Sequence, residues 1–483
     1  MKAFVVALYS FIGLVLFASW AWAGDIVVGS FAPGKAPGVE HLPHVEVKGL
    51  VTEFLDPGDT GLGKSVAYLL WREILTAISD QAGAGVILAH PPDNRRLTDL
   101  LRNDYHRAAV EIARSQRARL VLWGAVNESK DKIYVQNFLT LLPELIQDDL
   151  RLTLQLMGRP EQGFSVEIPR TRYNFAVVET SRPQLFERVI IARSSALVVE
   201  RPSGASRELK RVVAGEALQS VDMEGAWFKV RFKDGSTGWI ENMQVEVPPR
   251  AVYADSRGVN VRHEPAGPTV SRKVDLRGIY QVLDSRFIPG SGSWYRLDLP
   301  GGPGWIAAFL VEPQFSLPAV QFTAGLYRYQ RRNFTEANKA FAAYLRRTSG
   351  AGERVNLAAA YQFYGAGTLM LKSPSPDDFR RGIEAMERAS LLTPFDPAVY
   401  NLRALTRMAG TLKATGALED LEEALKLDRF NAQSQSLLAA FAALTDSSNR
   451  NYDFMRQWVR LMPQDVEKIS TLKTHYRVPA NSR

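Results

Sequence analysis

The sequence predicts a multidomain chain: an α/β domain, then two small β-barrels, then an all-α helical repeat. Three observations carry this. Strand and helix patterns alternate as far as Glu179. A pair of tryptophan-bearing strand motifs then occurs twice in succession. From about Ala319 onward helical patterns dominate, and one segment recurs 35 residues later, from Phe395 to Phe430.

Size and composition agree with several domains. A chain of 483 residues is too long for one core, and at about 100–200 residues per domain three or four are expected. With 46% hydrophobic and 23% charged residues it reads as globular material. Cysteine is absent, which excludes disulfides, cysteine-ligated metals and thiol nucleophiles. A formal charge of +8 is mild at this length, and no nucleic-acid partner is expected from it.

Residues 1–23 read as a signal peptide. Lys2 gives a positive start, an apolar run extends to Phe17, and Ala21-Trp22-Ala23 fits the small-x-small cleavage rule before Gly24. The apolar run is short for a bilayer span of about 20 residues. The expectation is an exported, periplasmic protein that is not integral to the membrane.

Residues 24–182 form the α/β domain of this reading. Asp25–Phe31 and Val45–Leu55 are strand candidates. Leu62–Ile78 is helical, with Val66, Leu69, Leu70, Ile74 and Ile78 on one face. Ala84–Ala89 is a buried-strand run, Leu97–Ala118 a second helix and Arg119–Val126 a strand. A hairpin turn at Glu128–Asp131 leads into Lys132–Leu139, and further strands are expected over Leu150–Leu156 and Tyr173–Val178. The order of elements, with Trp71-Arg72-Glu73-Ile74-Leu75 ending one helix and Trp123-Gly124 ending a strand, resembles the amino-terminal domain of TolB-like and CsgG-type proteins. That resemblance covers about 130 residues and implies an interaction domain without catalysis.

The middle of the chain is duplicated. Trp227-Phe228-Lys229-Val230 and Gly238-Trp239-Ile240 are matched, at nearly the same separation, by Trp294-Tyr295-Arg296-Leu297 and Gly304-Trp305-Ile306. Each copy opens with an apolar segment before a proline, Ala196–Pro202 and Val259–Pro265. Residues 186–248 and 251–314 are therefore two small barrels. They resemble bacterial SH3 domains. The second copy keeps the opening signature in Gly258-Val259-Asn260-Val261-Arg262, whereas the first has Ala196-Leu197-Val198-Val199 there. Trp239 and Trp305 are expected to pack in the cores. Trp294, Tyr295, Arg262 and Trp227 are the candidate ligand contacts, with recognition concentrated in the second copy and Asp284 a polar neighbour. The first copy is expected to act mainly as a spacer against the α/β domain.

Residues 318–470 form the helical repeat, followed by a tail, 471–483. Ala389–Asp396 recurs as Ala424–Asn431, close to the roughly 34-residue period of tetratricopeptide repeats, which the region resembles in degenerate form. Tyr327, Tyr329, Tyr361 and Tyr400 are expected to pack between helices.

One motif pulls toward enzymology. Gly58-Asp59-Thr60-Gly61-Leu62-Gly63-Lys64-Ser65 matches the phosphate-binding pattern G-x-x-x-x-G-K-[ST]. The preceding Leu50–Pro57 carries charge and reads as a poor central strand of a parallel sheet. No apolar run ends in the Asp that would hold magnesium, and an exported protein meets little ATP. Asp59 or Thr60 capping a helix is the plainer explanation. His41 and His44, in a proline-bearing loop, have no clear third metal ligand. There is neither an H-E-x-x-H pattern nor a G-x-S-x-G elbow.

The sequence therefore predicts a non-enzymatic periplasmic scaffold, without cofactor or metal. It would bind envelope protein partners, and peptidoglycan or a peptide through its barrels. Two alternatives stay open: a nucleotide-dependent protein using Gly58, Gly63, Lys64 and Ser65, and a subunit of a secretion or surface-assembly machine. Amino-terminal sequencing of protein recovered from the periplasm should read Gly24-Asp25; a Met1 start in a cytoplasmic fraction would refute export.

Overall fold

The computed structural model describes residues 28–30, 47–78, 84–90, 94–142, 151–154, 164–167, 172–348, 354–448 and 459–476, apart from Thr269, Pro289 and Leu412. The signal segment, His41 and His44 lie outside the described residues. The chain divides into two compact units, residues 1–142 with 175–324, and residues 143–174 with 325–483.

The first unit begins with a sheet of β1 (Val28–Ser30), β2 (Val47–Thr52), β3 (Ala84–His90), β4 (Leu120–Ser129) and β5 (Lys132–Leu141). The order is β1-β3-β2-β4-β5. The first four are parallel, and β5 runs antiparallel to β4 across the turn at Lys130-Asp131. Three further strands, β6 (Arg151–Leu154), β7 (Phe164–Glu167) and β8 (Arg172–Asn174), follow in the second unit. After them β9 (Val178–Thr180) pairs with β5.

The position of β2 corrects the sequence reading. It lies between β3 and β4, central and parallel on both sides, with Leu50 and Val51 fully buried. The charges that argued against it, Glu53 and Asp56, follow the strand's last residue, Thr52. The chain keeps contact with β4 beyond that point through a parallel bridge from Leu55 to Ala125.

Two helices connect these strands, α1 (Leu62–Ala77) and α2 (Asn94–Ser115). α1 is buried on nearly all sides. Its apolar face covers the sheet, and the Trp71 indole N–H donates to the Val86 carbonyl at 2.9 Å. Its other face meets the first β-unit. The Arg72 guanidinium donates to the Val245 carbonyl and the Thr76 hydroxyl to the Val247 carbonyl at 2.9 Å.

That β-unit follows α3 (Arg182–Phe186), a short helix capped by the Ser181 hydroxyl. It contains β10 (Arg188–Ala192), β11 (Ala196–Val199), β12 (Glu208–Val212), β13 (Ala217–Glu224), β14 (Trp227–Arg231), β15 (Thr237–Glu241) and β16 (Val245–Glu246). Their order is β12-β11-β15-β14-β13-β10-β16. The second β-unit contains β17 (Ala251–Arg262), β18 (Val270–Ile288), β19 (Gly292–Leu297), β20 (Gly304–Ala307) and β21 (Glu312–Gln314). Here the pairings β17–β18, β18–β19, β19–β20 and β20–β17 form a closed ring. Val252, Val261, Leu276, Leu297 and Ile306 fill it.

The three parts of this unit meet at one carboxylate. Glu73 of α1 accepts from Arg188 Nη1 of β10 at 2.7 Å, and from the backbone N–H and hydroxyl of Ser316 at 3.0 and 2.7 Å. Both side chains of the Glu73–Arg188 pair are fully buried.

The second unit is a helical repeat. It takes in the end of α4 (Pro318–Gln330), then α5 (Phe334–Thr348), α6 (Arg354–Leu369), α7 (Pro376–Leu392), α8 (Pro397–Thr411), α9 (Thr415–Leu427), α10 (Ala432–Thr445) and α11 (Pro463–His475). From α5 to α10 each helix packs on the next. Alternate helices also touch, α6 on α8 and α8 on α10. Tyr327 and Tyr329 are buried, as packing aromatics. Asp420 of α9 binds Arg403 of α8 at 2.6 Å and Arg407 at 3.1 Å, and Arg407 reaches Glu387 of α7 at 3.0 Å. Burial pushes the Asp420 carboxyl above its usual range in spite of both arginines.

The Glu73 junction makes a prediction. Glu73→Ala leaves a buried guanidinium and the Ser316 N–H without their acceptor, and should destabilise the first unit by about 3–5 kcal/mol. The double variant Glu73→Leu with Arg188→Met should recover most of that loss. Denaturant unfolding of the full chain decides it. A Glu73→Ala cost below about 1 kcal/mol would show that the junction does not hold the parts together.

Candidate functional site

The phosphate-loop motif has the right surroundings in outline, since it joins a central parallel strand to a helix. Its donors, however, are used by the chain itself. The Asp56 carboxylate accepts from the Gly63 N–H at 3.3 Å and from the Thr60 hydroxyl at 3.0 Å, and Thr60 Oγ1 accepts from the Leu62 N–H at 3.3 Å. The helix start is thus capped by Asp56 and Thr60, while Gly61 stands at the N-cap position with φ 75°. Gly63 is a packing glycine: a Cβ there would lie 2.2 Å from the Phe54 carbonyl oxygen.

The next two residues face the first β-unit. Ser65 Oγ donates to the Gly61 carbonyl at 3.1 Å and accepts from the Gly225 N–H at 2.9 Å. The Lys64 methylenes run beside Gly225, which has φ 54° in the two-residue turn between β13 and β14. In the helix body, burial pushes the Tyr68 hydroxyl up to about 12, with Glu241 and Glu53 adding to the effect. Burial, helped by Arg193, pulls the Arg72 guanidinium down to about 9.

The two β-units match strand by strand. In the first, a row across the sheet reads Asp222, Lys229, Trp239, Val199. In the second, the corresponding row reads Asp284, Arg296, Trp305, Arg262. A bulge precedes the aspartate in both, after Ser220 and after Val282. Each aspartate accepts from the N–H of the residue that follows it, at 2.8 Å. The glycine before each tryptophan has one reason in both copies. A Cβ on Gly238 would meet Val198 Cγ1 at 2.5 Å, and one on Gly304 would meet Val261 Cγ1 at 2.1 Å. The shared register establishes the duplication in three dimensions.

The copies differ in what covers the tryptophans. In the second, Trp294, Trp305 and Ala307 form a small cluster of their own with Ile288, separate from the principal core. Trp294 is 7% and Trp305 6% exposed. Arg262 lies 5.9 Å from the Trp294 ring centre and Arg286 5.4 Å from that of Trp305, and the Trp294 N–H donates to Ser291 Oγ at 3.0 Å. The Arg262 guanidinium also donates to the Gly267 carbonyl. Tyr295 belongs to the principal core, and burial pushes its hydroxyl well above the ordinary value. Its ring therefore does not face a surface groove, contrary to the sequence reading. Asp284 is nearly buried, and its carboxyl is raised by that burial.

In the first copy Trp227 and Trp239 are only half-buried. Val199 replaces the arginine over the tryptophans, and Lys229 lies 5.7 Å from the Trp239 ring centre. Trp239 is thus not a core residue, which corrects a second expectation. Parity explains it: on β15 Gly238 and Ile240 point inward, so Trp239 between them points outward. Sequence reasoning passed over Lys229 and Arg296, although their constant place opposite the second tryptophan was a usable signal.

No family model matches this chain, and no curated relative matches it. Solved structures that are similar to part of it are tetratricopeptide-repeat proteins. One is the first such domain of Spaghetti (RPAP3) bound to an HSP90 peptide, at 16% identity over 26% of this chain and 88% of that one, TM-score 0.21. Another is the TPR2B domain of yeast Sti1 in a complex with pHsp70, at 17% identity over 32% and 96%, TM-score 0.20. A third is MamA, at 17% identity over 33% and 81%, TM-score 0.22. These likenesses cover a quarter to a third of the chain and assign it no activity.

Two variants test the motif. Ser65→Ala leaves the Gly225 N–H unsatisfied and should cost about 1–3 kcal/mol, whereas Lys64→Ala should be nearly neutral. ATP with magnesium should not change the melting temperature. A tight ligand would stabilise by about 2.7 kcal/mol at one hundred times its dissociation constant. A magnesium-dependent rise abolished by Lys64→Ala would show that the loop binds nucleotide.

Proposed function

We propose that this protein is an exported, non-enzymatic scaffold of the bacterial envelope, holding a protein partner. In this reading the sheet and helices of residues 24–182 are a TolB/CsgG-like interaction domain. The two β-units are SH3-like barrels, and the helical repeat is of tetratricopeptide type. The observation that carries it is the use made of α1. The residues that would grip a phosphate, Gly63 and Ser65, instead join that helix to its own loop and to the turn at Gly225. The geometry favours assembly of binding surfaces over turnover.

The outer face of the first barrel is the preferred ligand surface. Trp227 and Trp239 are accessible there, and Lys229 beside Trp239 supplies a cation. A rigid aromatic offers large contact area at low entropic cost. Peptidoglycan or a peptide is the expected ligand, and the second barrel, with its tryptophans covered, serves more as support. The alternative role, a subunit of a secretion or surface-assembly machine, uses the same surfaces with different partners.

The test is capture from envelope extract on the immobilised mature protein, beside a peptidoglycan pull-down. A reproducible partner is expected. Trp239→Ala should weaken peptidoglycan or peptide retention by about 2 kcal/mol, roughly thirtyfold, without unfolding the chain. Trp305→Ala should act through stability, at about 3–5 kcal/mol. If nothing is retained by the folded protein, the scaffold reading fails. If Trp294→Ala abolishes retention at unchanged melting temperature while Trp239→Ala does not, the ligand face lies on the second barrel.

A further inference from the structure

The face of α1 that meets the first β-unit carries three polar groups at helical spacing, Ser65, Arg72 and Thr76. Ser65 and Thr76 each find a backbone partner across the junction. Arg72 is only partly served. Its planar guanidinium has five N–H donors and no acceptor. Nη2 donates to the Val245 carbonyl, while Nε and Nη1 are buried with no acceptor among the described residues. At 2% exposure the residue is also out of reach of bulk water. Buried donors on a charged group are costly to leave unmade, and in folded proteins they are met by the protein or by a bound species.

The surroundings supply no acceptor for them. The Trp71 ring centre lies 5.4 Å from the guanidinium carbon and offers a π-face alone. Glu73, the next residue on the helix, is taken up by Arg188 and Ser316. Arg193, in the turn between β10 and β11, stands close enough to pull the Arg72 guanidinium down further. The Arg193 backbone N–H donates to the Gln244 carbonyl at 2.9 Å, which fixes that turn beside β16. Glu246 of β16 acts on both arginines through space, without a hydrogen bond to Arg72. Two guanidiniums thus share one carboxylate, in a place where water screens little. Tyr68, one helical turn before Arg72, sees the opposite sign, since Glu241 and Glu53 help to raise its hydroxyl. The Arg72 end of the junction is therefore short of negative charge, and the shortage is local.

We propose that the junction of α1 with the first β-unit binds a compact monovalent inorganic anion of chloride size at the open donors of Arg72, with Arg193 beside it. The anion completes those donors and balances the second arginine. Burial selects for size: an organic carboxylate or a phosphate ester brings a stem for which a residue 2% exposed leaves no opening. A species that binds the folded chain and not the unfolded one stabilises it by mass action, so the anion tightens the hold of α1 on the β-unit. The site lies inside the first unit and is independent of the scaffold reading.

The probe is sodium chloride, exchanged for sodium gluconate at constant ionic strength around the full-length protein, with sodium sulfate as a third salt. Melting is followed by circular dichroism. The melting temperature should rise with the logarithm of chloride concentration, as mass action requires, and gluconate should give no such rise. Sulfate stabilises proteins generally through exclusion from their surface, so Arg72→Met is the control for each salt. In that variant the chloride response should vanish, an apparent weakening of at least about tenfold. Equal melting in chloride and gluconate overturns the proposal, as does a chloride response that Arg72→Met retains, or a response confined to sulfate. Should Arg72→Met fail to fold, chloride line broadening by NMR decides, measured on the unaltered chain and on Arg193→Met. Broadening that Arg193→Met weakens is expected, and equal or absent broadening refutes the site. Either failure leaves envelope capture untouched, because no partner takes part in the measurement.

Discussion

The Glu73 carboxylate is the point on which the first unit depends. It sits on the helix that covers the parallel sheet, and it accepts from the first strand of one β-unit and from the segment that leaves the other. A buried ion pair adds little net stability, because desolvating two charges offsets most of their attraction. Its effect is on geometry. A carboxylate with several donors in fixed directions penalises any other arrangement of those three segments. Around it, Arg72 and Thr76 of the same helix bond the backbone at Val245 and Val247. One face of α1 thus serves as a bracket, which explains why a helix with lysine, arginine and glutamate in its sequence is buried almost throughout.

Much of this architecture was legible beforehand. The helix at 62–78 followed from its periodicity, and the hairpin at 128–131 from its polar turn. The duplication followed from Gly-Trp spacing. What could not be read was which side of each tryptophan faces solvent. Trp227 and Trp294 occupy one position in two copies of a fold, and pattern alone treats them alike. Their environments differ through residues outside the motif: Arg262 against Val199, and Arg286 over the neighbouring ring. Strand β2 was undervalued for a related reason. Charge spread over residues 50–57 hides a strand that stops at Thr52, because the charged residues serve the next turn, where Asp56 caps α1.

The helical unit shows the same division between what repeats and what does not. Phe395 and Phe430 recur at equivalent turns, and both rings are exposed. The arginine–carboxylate network among α7, α8 and α9 has no periodic signature, because its members come from unrelated positions in three helices. Repeat proteins are held by nearest-neighbour interfaces, and here one of those interfaces is fixed by charge.

The bulge shared by the two β-units has a consequence for how they could be exchanged. In both, it precedes an aspartate that lines up with the second tryptophan across the sheet. In the first copy that aspartate is gripped by Arg182 at 3.2 Å, from the short helix that introduces the unit, and Arg182 also reaches Glu128 at the end of β4. In the second copy Asp284 stands opposite Arg296 of the next strand and lies 3.8 Å from Arg286 of its own strand, both within the unit itself. An inherited kink has thus become a clasp in one descendant and remained a local ornament in the other. A chimera with two second-copy units in tandem would keep every ladder and both glycine–valine contacts, yet lose the clasp at its upstream edge. The modules are interchangeable as folds but not as neighbours, and the order in which they stand along the chain is itself part of the design.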